Sequence, residues 1–144
     1  MNITTNLKFI TLSIALVLLS SCSKNPKTLL PHLTGYWEIE SVTLADGTKK
    51  EYTFSNTIDY IELNDSLKGF RKKLNPNLKG TYNTSNTTEY IKAVIENDSL
   101  NLYYSTEFDQ WKETVLNAND KQLIIKNTDN NIYIYKRYEP ITIE

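Results

Sequence analysis

Little in this 144-residue chain could serve catalysis by side-chain chemistry. It holds one cysteine and one histidine, so a disulfide, a cysteine–histidine zinc cage and a histidine-based triad each lack a second member. Glycine and proline occur four times each, too rarely for a fibrous or low-complexity chain. Charge of one sign is lacking as well: 16 basic residues face 17 acidic ones, which excludes the broad positive field that gathers nucleic acid. No apolar run reaches the roughly 20 residues that span a bilayer. What is plentiful is tyrosine, ten in all, together with turns rich in asparagine and aspartate.

The amino-terminal segment has a single charge, Lys8, ahead of the apolar stretch Phe9 to Leu19. That length suits a secretory signal core and is too short for a membrane span. The stretch ends in Leu19-Ser20-Ser21-Cys22, which resembles the lipobox of bacterial lipoproteins. The resemblance implies a signal peptide over residues 1–21, a diacylglyceryl thioether on the Cys22 sulfur and acylation of the new amino terminus. Lipidation would also consume the sole cysteine. Each buried methylene contributes about 0.8 kcal/mol, so two or three acyl chains hold a protein at a membrane where one does not. Residues 22–33 then read as lipidated cysteine and tether, with Pro26 and Pro31 favouring an extended path. Leu29, Leu30 and Leu33 are expected to dock on the domain as a short turn closing one end.

From Thr34 onward the pattern is β. In Gly35 to Val42, Trp37 and Ile39 alternate with Glu38 and Glu40, the period of a half-buried strand. Asp46-Gly47 marks a hairpin turn. Further strands are expected over 51–54, 57–63, 69–74, 80–82, 89–96, 100–105, 110–116, 122–126 and 132–138. Turn residues separate them: Asn64-Asp65-Ser66, Asn75-Pro76-Asn77, Asn97-Asp98-Ser99, 117–120 and 127–131. The Asn-Asp-Ser-Leu turn occurs twice, read as reuse of one hairpin turn. Short strands every 8 to 12 residues with brief connections point to an antiparallel up-and-down meander. Closing it into a barrel of about 8 to 10 strands over residues 34–144 removes both edges.

Gly35-Tyr36-Trp37 at the start of this meander resembles the Gly-X-Trp opening of lipocalins, and Tyr133-Ile-Tyr-Lys-Arg137 resembles their last strand. Lipobox, tether, Leu33-Thr34-Gly35-Tyr36-Trp37, Trp111 to Leu116 and a terminal Tyr-X-Arg together are similar to small lipocalin-like lipoproteins of Bacteroidota. The resemblance implies that Arg137 packs across Trp37 and closes the barrel's base; the near absence of catalytic side chains, with His32 the sole histidine, leads to the expectation that the protein is not an enzyme. The domain is shorter than a standard lipocalin and shows no clear Thr-Asp-Tyr motif between its middle strands. Two functions stay open. One is binding of a small apolar or amphipathic molecule inside the barrel, with Trp37, Tyr104, Tyr133 and Tyr135 as lining. The other is a non-catalytic interaction module, of inhibitor or immunity type, with a filled interior.

Other candidates read as structural. His32 is expected to be a solvated linker residue, and Glu38 and Glu40 a charged outer face. Asp129-Asn130-Asn131 and 117–120 lack a calcium-binding ligand ladder and are better explained as turns. The basic run Lys68 to Lys73 is expected to be a solvated hairpin with Phe70 turned inward; its functional reading is contact with anionic headgroups or an acidic partner. No metal or cofactor is expected. The expected partners are the membrane, through Cys22, and a small hydrophobic ligand or an envelope protein. Ser23-Lys24-Asn25-Pro26 lacks an inner-membrane retention aspartate and an acidic surface-export run, so an outer-membrane, periplasm-facing position is expected.

Overall fold

The structure, a computed structural model, describes residues 25–77 and 80–140. The expected signal peptide, residues 1–21, and Cys22 lie outside the described residues. A 3₁₀ turn, Pro26–His32, precedes nine strands: β1 (Gly35–Thr43), β2 (Lys49–Glu51), β3 (Ile58–Leu63), β4 (Lys68–Pro76), β5 (Tyr82–Glu96), β6 (Ser99–Ser105), β7 (Gln110–Ala118), β8 (Gln122–Asn127) and β9 (Ile132–Arg137). Every pairing is antiparallel, and β9 returns to β1 with Trp37 opposite Arg137. Eight strands thus close a barrel, and β2 is an additional short strand on β1.

β2 and β3 are two halves of one strand. β2 lies against the far half of β1 (Ser41 opposite Glu51) and β3 against the near half (Trp37 opposite Asp59). Between these two pairs, three residues of β1 (38–40) therefore face seven of its neighbour (52–58), and the excess loops out around residues 53–57. The Asp46-Gly47 turn forms as its sequence demands: Gly47 has φ +87°, and the Asp46 carboxylate accepts from the Thr48 amide at 2.8 Å.

Two expectations about the strands are corrected. Residues 80–82 and 89–96 belong to one 15-residue strand, β5, because the polar stretch between them keeps pairing with the long β4. The two Asn-Asp-Ser-Leu turns are different turns. Glu96 opposite Ser99 leaves a two-residue turn with Asn97 and Asp98 at positive φ. Leu63 opposite Gly69 leaves five residues, with Leu67 at φ +58°. Register overrode the repeated letters.

The barrel has a closed base. Asn25 caps the 3₁₀ turn through its side chain, which accepts from the Lys27 amide. Leu29 and Leu33 plug the base and the turn packs on β6 and β7. The segment expected as an extended tether is therefore folded from Pro26 onward, because three leucines gain more by burial than two prolines impose. Above the plug the apolar core includes Trp37, Ile61, Ile91, Leu100, Leu102, Val115, Leu123 and Ile125.

Candidate functional site

Side chains directly opposite in paired strands share a face, so the register states what fills the barrel. One inward row runs Ile61, Arg71, Glu89; the next runs Gly69, Ile91, Tyr104, Trp111; the next runs Ala93, Leu102, Glu113, Asn127. Asp59, opposite Trp37 and Lys73, is also inside. An ionic layer thus crosses the barrel above the apolar core.

Arg71 organises that layer. Its Nε donates to Glu89 Oε2 at 2.5 Å, and its Nη1 to Glu113 Oε2 at 3.2 Å and Tyr104 Oη at 3.3 Å. The guanidinium lies 4.3 Å from the centre of the Tyr104 ring, and Tyr104 stacks on Trp111 at 5.1 Å with planes 6° apart. Burial works against the charge on Arg71, but the surrounding Tyr104, Glu113, Asp59 and Glu89 outweigh it and hold the guanidinium charged. Burial pushes the phenols of Tyr104 and Tyr135 well above their ordinary range, so both stay protonated as donors. Lys73 reaches in from the mouth to Asp59 at 3.0 Å. Among the described residues, no buried side-chain polar atom lacks a hydrogen-bond partner.

The residues singled out from sequence fall into two places. Trp37 is fully buried at the base; its Nε1 donates to the Leu33 carbonyl at 2.9 Å, and the Arg137 guanidinium lies 3.7 Å from its ring. Arg137 also donates to the carbonyls of His32, Thr34 and Asp120, tying the 3₁₀ turn to the last strand. Gly35 makes room for it, since a Cβ there would sit 2.1 Å from Arg137 Nη1. Tyr104, Tyr133 and Tyr135 line the interior, with Tyr104 and Tyr135 buried and Tyr133 half-buried.

His32 is not a solvated linker residue: its Nδ1 lies 2.9 Å from Asp120 and its carbonyl belongs to the Arg137 lock. Phe70, expected inside, is outside, opposite Glu62 and Tyr90 and 6.0 Å from the Tyr60 ring. Arg71 takes the inward slot instead, because the register set at Gly69 opposite Leu63 assigns alternate residues that way. Glu38 lies on the outer wall and pairs with Lys136 at 3.3 Å. The turns at 117–120 and 127–131 are held by Asn119 and Asn127 side chains accepting backbone amides.

Sequence reasoning missed the ionic layer. Its signal was a charged residue on an otherwise apolar alternation, as in Trp111-Glu113-Val115 and Glu89-Ile91-Ala93.

Two concavities lie on the outer surface. One, of about 610 Å³, lies over β4 to β7 between Lys68, Tyr90, Lys92, Tyr103 and Lys112. The other, of about 720 Å³, lies across β1 and β9 between Glu38, Phe54, Tyr82, Lys136 and Tyr138. Tyr82 there stacks on Tyr36 at 5.5 Å. The first is built on strands β4 to β7, whereas the second is bounded by β1, β9, residues 53–55 and the tip of the β4–β5 hairpin (Pro76, Asn77, Gly80 to Tyr82).

A family model for the lipocalin-like domain matches residues 33–125. Two solved structures are similar: a lipocalin-like protein from Bacteroides uniformis ATCC 8492 and an uncharacterized protein from Bacteroides eggerthii DSM 20697. Each is 12% identical, covers 74% of this chain and 99% of its own, with TM-scores of 0.48 and 0.47. No curated protein matches the chain significantly.

Proposed function

The chain belongs to the lipocalin-like domain family, and from that premise we propose a non-catalytic binding protein of the cell envelope, held by lipid on Cys22, that meets its partner on its outer surface. The observation that carries this reading is what lines the barrel's interior: apolar side chains below, and the hydrogen-bonded Arg71–Glu89–Glu113–Tyr104 layer above. An apolar molecule entering between them would strip charge-assisted hydrogen bonds it cannot replace, at a cost of several kcal/mol. The concavity across β1 and β9, with Phe54 70% exposed at its edge, is the natural docking place for an envelope protein.

A second reading keeps a small amphipathic molecule in the barrel mouth. Trp111 and Tyr133 favour it, since both face inward and are only half-buried. Native mass spectrometry of the protein released from its host's envelope decides between the two. The outer-surface reading expects the mass of chain plus lipid alone. A stoichiometric retained small molecule would overturn it in favour of the mouth. The anchor has its own test: Cys22→Ser should abolish the lipid mass and release the protein from the membrane fraction, and unchanged fractionation would refute lipidation.

A further inference from the structure

We propose that the concavity over β4 to β7 is a membrane-docking face that binds the anionic headgroups of the bilayer, so that the barrel lies on this wall. The inference rests on the anchor reading for its choice of occupant and on the outer wall for its chemistry. Lys68 is directly opposite Lys92, Lys92 is opposite Tyr103, and Tyr103 is opposite Lys112. Three lysines therefore stand in one row across four strands. Like charges placed directly opposite are destabilising in a sheet, and none of these three lysines forms a close ion pair with a described residue. The carboxylate at the edge of this wall, Glu96, accepts from the Tyr103 hydroxyl and the Asn101 amide and attracts Lys112 without a close ion pair.

The neighbouring outward row adds aromatics. Phe70 is opposite Tyr90; Tyr90 is 63% and Tyr103 38% exposed. Ammonium groups beside amphipathic rings suit the bilayer interface, where rings sit at headgroup level and lysines meet phosphates.

Position selects the membrane as the source of the anions. Between Cys22 and Asn25, the first described residue, stand only Ser23 and Lys24, a reach of about 10 Å at full extension. The 3₁₀ turn that follows packs on β6 and β7, the strands carrying Tyr103 and Lys112, and Lys68 opens β4 at the same end of the barrel. An anchor this short keeps the base-side end of the basic wall, at Lys68, within reach of the headgroups.

The test uses the full-length protein, mixed with vesicles of phosphatidylcholine alone or with phosphatidylglycerol added. Flotation with phosphatidylcholine vesicles reports the anchor. Labelling by a water-soluble amine reagent, read by peptide mass spectrometry, reports the wall: Lys68, Lys92 and Lys112 should be protected several-fold on phosphatidylglycerol vesicles only, Lys50 should not, and salt should reverse the protection. In the Cys22→Ser chain, replacing the three lysines by glutamine should weaken binding to phosphatidylglycerol vesicles on the order of 100-fold, at roughly five-fold per lysine. Failure to float on phosphatidylcholine would sink the anchor while the phosphatidylglycerol arm still judges the wall. Equal labelling on both lipids, or protection that appears only when an acidic protein is added, would overturn the docking face.

Discussion

Removing Arg71 should cost more than its size suggests. The residue is 7% exposed, and its guanidinium holds Glu89 and Glu113, whose side chains are 18% and 10% exposed. In Arg71→Met the methionine fills much of the volume, so cavity terms stay small. The loss is electrostatic: two carboxylates remain inside the barrel with no cation between them. Breaking a buried pair from one side costs about 3–5 kcal/mol. Against a total stability of about 5–15 kcal/mol, that lowers the melting temperature by roughly 10–20 °C for a domain of this length. Replacing the whole group (Arg71→Met with Glu89→Leu and Glu113→Leu) removes the stranded charges as well, and should restore stability to within about 1 kcal/mol of the parent or exceed it. Urea unfolding followed by tryptophan fluorescence on the Cys22→Ser chain measures each variant. A single variant that loses less than about 1 kcal/mol, or a triple variant no more stable than the single, would refute the reasoning.

Four further outcomes follow from other parts of the barrel. Arg137→Ala should lose about 2–4 kcal/mol by denaturant melts, since a stacking contact and three hydrogen bonds go together, and Arg137→Lys should recover little of it because a lysine has no planar fork. Gly69→Ala would place a Cβ 1.7 Å from the Glu62 carbonyl oxygen, so β3 and β4 must part; the expected loss is about 1–3 kcal/mol, with hydrogen exchange quickened in both strands. Lys92→Gln relieves its opposition to Lys68 and should raise stability by about 0.2–1 kcal/mol while weakening attachment to anionic vesicles. The Tyr103 hydroxyl above all, opposed by desolvation and aided by the Asn101 amide and Lys112, holds the Glu96 carboxyl below its ordinary range. That contribution is present above the unfolded pKa and lost as pH falls through the folded one, so Tyr103→Phe should move the Glu96 titration upward in an NMR pH series.

The period-two alternation of Gly35 to Val42, and the recurrence of short strands between Asn- and Asp-rich turns, exposed the barrel in the sequence. β5 was obscured because Asn83 to Thr88 is polar throughout, since the long hairpin it shares with β4 is wet on both sides. The closing contact was legible only through resemblance, because nothing local joins Trp37 to Arg137. The ionic layer was hidden by composition. Arg71 sits among lysines that read as one solvated run, and only the register separates Lys68 and Lys72, which face out, from Arg71, which faces in. Legibility ended where a residue's meaning depended on a strand far away in sequence.

Closure also has a place in time. The neighbours from β3 through β9 are joined by short connections and can pair as soon as each hairpin turns, on a microsecond scale. The β1–β9 seam is different: it brings Trp37 to Arg137 across almost the whole domain, and the chain must lose its loop entropy before any contact there repays it. Sealing the seam is therefore the late, slow event of folding. The indole of Trp37 passes from water to the underside of a guanidinium in that step, which makes its fluorescence the clock by which closure is read.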